Sequence, residues 1–266
     1  MLAWAHMATA PSPSPSFAPD QRPASVPIWR EGLAGLDWLA LRTSAVFYGC
    51  GVPRGDGVGV VLVPGFLGTD WYLLELHGWL GRLGYRSHLS RIGRNAECLD
   101  LLSGRLLETV ERAREATGRP VHLIGHSLGG MLTRSLAARR PDLVASVVTL
   151  GSPFRGVRSH PLVLLISERV RARVRRDDRP DCYTGYCRCE AVTGLEEAFP
   201  ASVPQLAVYT RTDGIVDWRM CLGDDPASNV EVTGTHVGLV ANPAVYRAIA
   251  HHLAGASRPA PAAPAP

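Results

Sequence analysis

Val121-His122-Leu123-Ile124-Gly125-His126-Ser127-Leu128-Gly129-Gly130 carries the chain from a largely apolar run straight into a helical pattern. A strand that turns into a helix within a residue or two forces its turn residue into strained backbone geometry. Gly125 and Gly129, two residues to either side of Ser127, remove the Cβ atoms that would otherwise collide. The following helix, about residues 128–140, stops at Pro141 and directs its N-terminal amides and positive dipole end at the Ser127 hydroxyl. That placement suits an alkoxide and an oxyanion. Ser127 is therefore a candidate nucleophile, and the bland alternative is a serine in an ordinary strand-to-helix turn.

Outward from this stretch the pattern alternates. Residues 58–63 form a nearly continuous apolar run, the signature of a strand buried on both faces, and end at Pro64-Gly65-Phe66-Leu67-Gly68. A helix to about residue 83 follows, capped by Thr69 or Asp70 and closed by Gly84. Residues 85–92 read as a strand, 97–117 as an amphipathic helix ending at Gly118, and 143–150 as the strand after the first quoted helix. Strands at 205–209 and 229–232 and a helix at 242–253 complete the series. The fold class predicted is α/β, a mostly parallel sheet flanked by helices, with functional residues at the carboxyl ends of strands. Upstream, residues 28–47 carry Leu33, Leu36, Leu39 and Leu41 at near-helical spacing and predict a helix packed on the core; the loop 49–57, with four glycines and a proline, ends it.

The chain has 266 residues and is 46% hydrophobic, which suits one large domain over residues 28–256. Repeated Pro-Ser pairs mark residues 1–27 as a tail, and Ala and Pro mark residues 257–266 as another. Residues 1–10 lack the basic start and apolar core of a secretory signal, and no stretch approaches ~18 apolar residues, so a cytoplasmic protein is expected. The net charge is +4, and all 28 basic residues are arginine. Without lysine, Schiff-base, pyridoxal phosphate and P-loop chemistry are excluded. The even spread of arginine argues against a nucleic-acid partner.

A serine hydroxyl needs a base, and the base needs an acid to orient it. Of nine histidines, His236 alone lies past the last strand and before the last helix; His126 is set aside as the variable position of the GxSxG motif. For the acid, Asp213 follows the strand 205–209 directly and precedes Gly214, whereas its rival Asp217 lies four residues further on. The oxyanion donors expected are the backbone amides of Leu128 and Phe66.

Taken together, Pro64–Thr69 (PGFLGT), 125–130 (GHSLGG), 149–156 (TLGSPFRG), 213–216 (DGIV) and 234–239 (GTHVGL) resemble the α/β-hydrolase superfamily, most closely its bacterial lipase and esterase branch, over about residues 57–253. The resemblance implies ester hydrolysis through an acyl-serine with the triad Ser127, Asp213 and His236, and no metal or organic cofactor. An acyltransferase or cyclising thioesterase using the same acyl-serine is the alternative, and a catalytically silent binding protein on the same fold a third. Two departures stand out: residues 28–47 replace the usual first strands, and Asp217 stands where relatives often carry proline.

Residues 154–203 occupy the position of a cap or lid. Within them, the stretch from Arg169 to Arg179 holds six arginines and reads either as a solvated helical face or as a basic rim for anionic head groups, a peripheral lipid-interface contact. Cys182, Cys187 and Cys189, with Cys221, are compatible with a zinc site, thiols or disulfides; a bridge from Cys221 to an insertion cysteine is the favoured arrangement.

Overall fold

Val60, Val61, Leu62 and Val63 have no solvent exposure, so the strand they form needs an apolar layer on each side. The computed structural model, which describes residues 22–177 and 189–257, supplies both layers. In chain order the strands are β1 (Arg22–Pro23), β2 (Gly59–Val63), β3 (Arg86–Leu89), β4 (Val121–His126), β5 (Val144–Leu150), β6 (Arg158–Ser159), β7 (Gln205–Tyr209) and β8 (Asn229–Glu231). The α-helices are α1 (Ala34–Arg42), α2 (Leu74–Leu83), α3 (Leu99–Thr117), α4 (Leu128–Arg139), α5 (Pro161–Asp177), α6 (Glu190–Glu196) and α7 (Pro243–Ala256). One six-stranded sheet runs β3-β2-β4-β5-β7-β8, and every neighbouring pair in it is parallel.

Alternation along the strands divides the core. Val60, Leu62, Ile124, Val148 and Val208 pack with α2 and α7 on one face. Val61, Val63, Leu123 and Val147 pack with α3 and α4 on the other. Because β2, β4, β5 and β7 are adjacent and parallel, the turns at their carboxyl ends gather on one rim. These turns carry Phe66, Ser127, Gly151 and Asp213.

Gly84 and Gly118 end α2 and α3 in the left-handed conformation, with φ of 99° and 68°, as a closing glycine should. The start of α2 differs from the predicted cap. A 3-10 turn, Asp70–Leu73, leads into the helix, and the Thr69 side chain makes no cap hydrogen bond. The Asp70 carboxylate accepts instead from Ser90 Oγ at 2.6 Å and from the Arg91 amide at 2.9 Å, tying this turn to the end of β3.

The N-terminal segment also differs from expectation. It consists of a 3-10 helix Ile28–Leu33, α1, and a second 3-10 turn Ala45–Tyr48. Leu33, Leu36 and Leu39 are exposed, and of the four leucines at helical spacing only Leu41 is buried. The face turned inward carries Glu31 and Asp37, whose carboxylates accept hydrogen bonds from loops at the rim of the sheet. Residues 22–27, which composition assigned to the tail, are in the fold: β1 pairs in parallel with β6, and the Ala24 amide donates to Ser159 O at 2.9 Å. Ser257 ends α7, with its hydroxyl donating to Leu253 O and lying 3.2 Å from His122 Nε2.

The insertion contributes β6, α5 and α6, with α6 packed on α4. Arg179, Cys182 and Cys187 lie outside the described residues. Cys221 is a buried free thiol, so the expected bridge from it to an insertion cysteine is not formed. Burial first, then the charges of Asp213 and Asp217, push that thiol's pKa well up, which disfavours the thiolate needed for exchange.

Trp79 anchors the α2 layer: it is fully buried, donates from Nε1 to Val46 O at 2.8 Å, and lies 4.5 Å from the Tyr246 ring. Trp79→Ala should cost about 3–5 kcal/mol of unfolding free energy, measured by denaturant titration followed by far-ultraviolet circular dichroism.

Candidate active site

Ser127 has φ 52° and ψ −122°, a conformation that non-glycine residues rarely adopt. It is tolerated because the surroundings permit no other route. A Cβ at Gly125 would collide with the backbone of Gly129 and Gly130, and one at Gly129 with the carbonyls of Val63 and Pro64. The strand β4, the helix α4 and the end of β2 thus approach to backbone contact around this one residue. The Ser127 amide donates to Leu150 O at 2.8 Å, which secures the elbow to β5.

The amides of Leu128 and Phe66, the two expected oxyanion donors, have no acceptor among the described residues. Leu128 opens α4, so its amide is one of the unsatisfied donors at a helix start. Phe66 lies in a turn closed by Gly68 N donating to Gly65 O at 2.9 Å and braced by the buried Asn95, whose Nδ2 donates to Pro64 O at 2.7 Å.

His236 and Asp213 meet. His236 Nδ1 lies 2.6 Å from Asp213 Oδ2, and both side chains are almost wholly buried. The other carboxylate oxygen accepts from the amides of Ile215 and Val216, each at 2.8 Å, so the acid is held by its own DGIV turn. A carboxylate only accepts, so Nδ1 carries the proton and Nε2 of the neutral ring is left free to accept one. Burial alone would lower the His236 pKa, but the charge and hydrogen bond of Asp213, aided by the charge of Glu31, hold it above the ordinary histidine value. Asp217, the rival acid, is otherwise engaged: it accepts from the Arg219 amide at 3.1 Å and pairs with the Arg219 and Arg158 guanidinium groups.

Ser127 and His236 line one cavity of about 410 Å³, together with Phe66, Leu128, Met131, Val163 and Leu164. No hydrogen bond joins their side chains in the structure; nucleophile–base contacts commonly tighten only when substrate enters. Gly151, at φ 56°, lets the ring in, since a Cβ there would stand 3.0 Å from His236 Nδ1. The helix α5 covers the cavity with Val163, Leu164 and Val170. Of its arginines, Arg175 pairs with Glu168 at 2.7 Å and Arg173 donates to Ala96 O at 2.8 Å.

Several residues here were not singled out from the sequence. His126 is buried, with Nε2 3.0 Å from the backbone oxygen of His236 and Nδ1 3.1 Å from the Tyr72 hydroxyl. Since a carbonyl only accepts, Nε2 carries the proton and Nδ1 accepts from Tyr72, which in turn accepts from the Gly65 amide. Burial, with the neighbouring His236 charge, depresses the His126 pKa to about 3, so the ring stays neutral. Glu31 and Asp37 were likewise unmarked, although they are the two acids in the largely apolar stretch of residues 28–47.

Residues 103–177 match the family model described as alpha/beta hydrolase fold. The chain is 36% identical over 135 residues to a triacylglycerol lipase of Burkholderia plantarii, covering 47% of this chain and 37% of that one. It is 40% identical over 108 residues to a triacylglycerol lipase of Pseudarthrobacter phenanthrenivorans, covering 36% and 33% respectively. It therefore spans about a third of the length of the curated relatives it matches. Among solved structures, carboxylesterase CesB of Bacillus subtilis aligns with a TM-score of 0.51 at 15% identity, over 84% of this chain and 99% of that one. Lipase BlEst2 of Bacillus licheniformis aligns with a TM-score of 0.54 at 14% identity, over 76% and 94%. This chain has the α/β-hydrolase fold and is a distant homologue of bacterial triacylglycerol lipases.

Because the folded-state pKa of His236 lies above that of an unfolded-chain histidine, the protonated ring adds stability below the unfolded value, and the contribution fades as pH rises through the folded one. In NMR titration the His236 ring should protonate above the ordinary histidine value. Asp213→Asn should drop it below that value, since burial then dominates.

Proposed function

We propose that this chain is a serine hydrolase that cleaves carboxylic esters with lipid-like acyl groups. The observation that carries the reading is the buried 2.6 Å pair of His236 and Asp213, which opens onto the same cavity as the strained Ser127. Ser127 Oγ attacks the ester carbonyl carbon as its proton passes to His236 Nε2. The amides of Phe66 and Leu128 hold the oxyanion, each such donor being typically worth about 3 kcal/mol in the transition state. As the carbonyl re-forms, the ester C–O bond breaks and His236 returns the proton to the departing alcohol. Water then attacks the acyl-serine by the same route and releases the acid. Asp213 keeps the His236 ring in the required tautomer and stabilises its protonated form.

The cavity lining supports an acyl substrate. Leu128, Met131, Val163, Leu164, Val170 and Leu195 offer dispersion contacts and few hydrogen bonds, the environment an alkyl chain prefers. The surface nearby supports work at a lipid interface. Val237 lines the cavity and also an adjoining groove with Trp38, Trp71 and Leu74, all of them exposed. On α5, Leu162 and Leu165 are exposed as well, about one to four turns before the exposed Arg169 and Arg176. In this reading the apolar residues enter the interface and the arginines meet anionic head groups. No described helix is long and apolar enough to cross a membrane.

A fluorophosphonate probe should label the wild-type chain and not Ser127→Ala, and that variant should lose at least ~10⁴-fold in kcat on nitrophenyl esters. Equal labelling of the two would overturn the reading. Leu162→Ser with Leu165→Ser should lower hydrolysis of emulsified long-chain esters several-fold and leave soluble short-chain esters unchanged; an equal effect on both would exclude the interfacial role.

A further inference from the structure

We infer that Glu31 is a positioning residue that locks the loop bearing Asp213 to the loop bearing His236, so that the N-terminal segment completes the catalytic rim. The inference rests on the reading of those two residues as acid and base. Glu31 Oε1 accepts from the Gly214 amide at 2.8 Å and from the His236 amide at 3.0 Å, and Oε2 accepts from the Val237 amide at 2.8 Å. One carboxylate therefore holds the residue after the acid, the base itself and the residue after the base. A neighbour on the same segment repeats the pattern: Asp37 Oδ2 accepts from Thr235 N at 3.1 Å and Thr235 Oγ1 at 3.0 Å, and Oδ1 from Asn242 Nδ2 at 3.3 Å.

The two loops leave room for these carboxylates. A Cβ at Gly214 would lie 2.7 Å from Glu31 Oε1, one at Gly234 2.8 Å from Asp37 Oδ1, and one at Gly238 would collide with Asp37 Oδ2. Glycines of the DGIV and GTHVGL segments thus serve carboxylates that arrive from some two hundred residues earlier in the chain. Hydrogen bonds from amides to an ionised carboxylate are stronger than neutral ones, and their geometry fixes both loops to one rigid body. A base and acid held this way need little reorganisation on substrate binding.

Glu31 also acts through charge. The groups facing the His236 ring are Asp213 from the β7 loop, Glu31 from the N-terminal segment and the neutral His126 ring from β4, 4.9 Å away. Two of the three are anionic and favour the protonated ring. Removing the Glu31 charge while keeping an acceptor oxygen should therefore lower the pH at which His236 loses its proton.

The experiment uses the full chain, a soluble short-chain nitrophenyl ester and fluorophosphonate labelling. Glu31→Ala should reduce kcat on the order of a hundredfold with KM within about twofold, since misplacement rather than lost binding is at work. Glu31→Gln should recover most of kcat at alkaline pH, with the acid limb of its rate profile and the NMR titration of His236 both moved to lower pH. Wild-type kcat in Glu31→Ala, or an unmoved His236 titration in Glu31→Gln, would overturn the inference. Should Glu31→Ala fail to fold, the Gln variant decides alone. The titration needs no turnover: if wild type neither hydrolyses ester nor takes the probe, the reading of the site fails, while the titration still reports on Glu31.

Discussion

The backbone of Ser127 is the constraint on which the rest of the molecule depends. Its positive φ is sustained only because β4, α4 and the end of β2 meet with no side chain between them, at Gly125 and Gly129. Such strain costs on the order of 1–3 kcal/mol and persists where the surrounding packing over-determines it. Here the packing is a parallel sheet whose strands β2 and β4 are buried throughout and whose two faces are covered by separate apolar layers. The rigid sheet thus holds Ser127 at the rim of the cavity, and adjacency of the strands brings the Phe66 turn, the Gly151 turn and the Asp213 loop to the same place.

Around that hydroxyl, charge is ordered by which groups can only accept. Asp213 uses one oxygen on its own turn and the other on His236, so it has no freedom to rotate. His126 and His236 show how environment divides one residue type into two roles. Both rings are buried, and burial lowers the pKa of each; a paired carboxylate reverses the outcome for His236, and among the described residues none pairs with His126. A neutral His126 then serves as a brace between Tyr72 and the backbone of His236. The same principle explains why the N-terminal segment turns its acids inward: amides in the two rim loops need acceptors, and Glu31 and Asp37 supply them.

Much of this was legible from residues in order. The apolar run 58–63, the glycines around Ser127, and the closing glycines at 84 and 118 each report a local backbone demand, and each stands where the sequence pattern put it. Asp213 and His236 were readable as the polar residues at strand ends downstream of Ser127, because a parallel sheet collects such ends on one side. The helical periodicity of residues 28–47 misled, since Leu33, Leu36 and Leu39 face outward. Periodicity shows that one face of a helix is apolar and leaves open which surface receives it.

What the residues determined by themselves was the succession of strands and helices and the strained turn at Ser127, since each follows from interactions within a few positions. Tertiary structure alone decided that Glu31, Asp37, Tyr72 and His126 support those partners, that Asp217 turns away to Arg219 and Arg158, and that Cys221 remains a thiol. Apart from the local Asp217–Arg219 contact, those outcomes depend on hydrogen bonds and burial between segments tens to hundreds of residues apart, which no local pattern encodes.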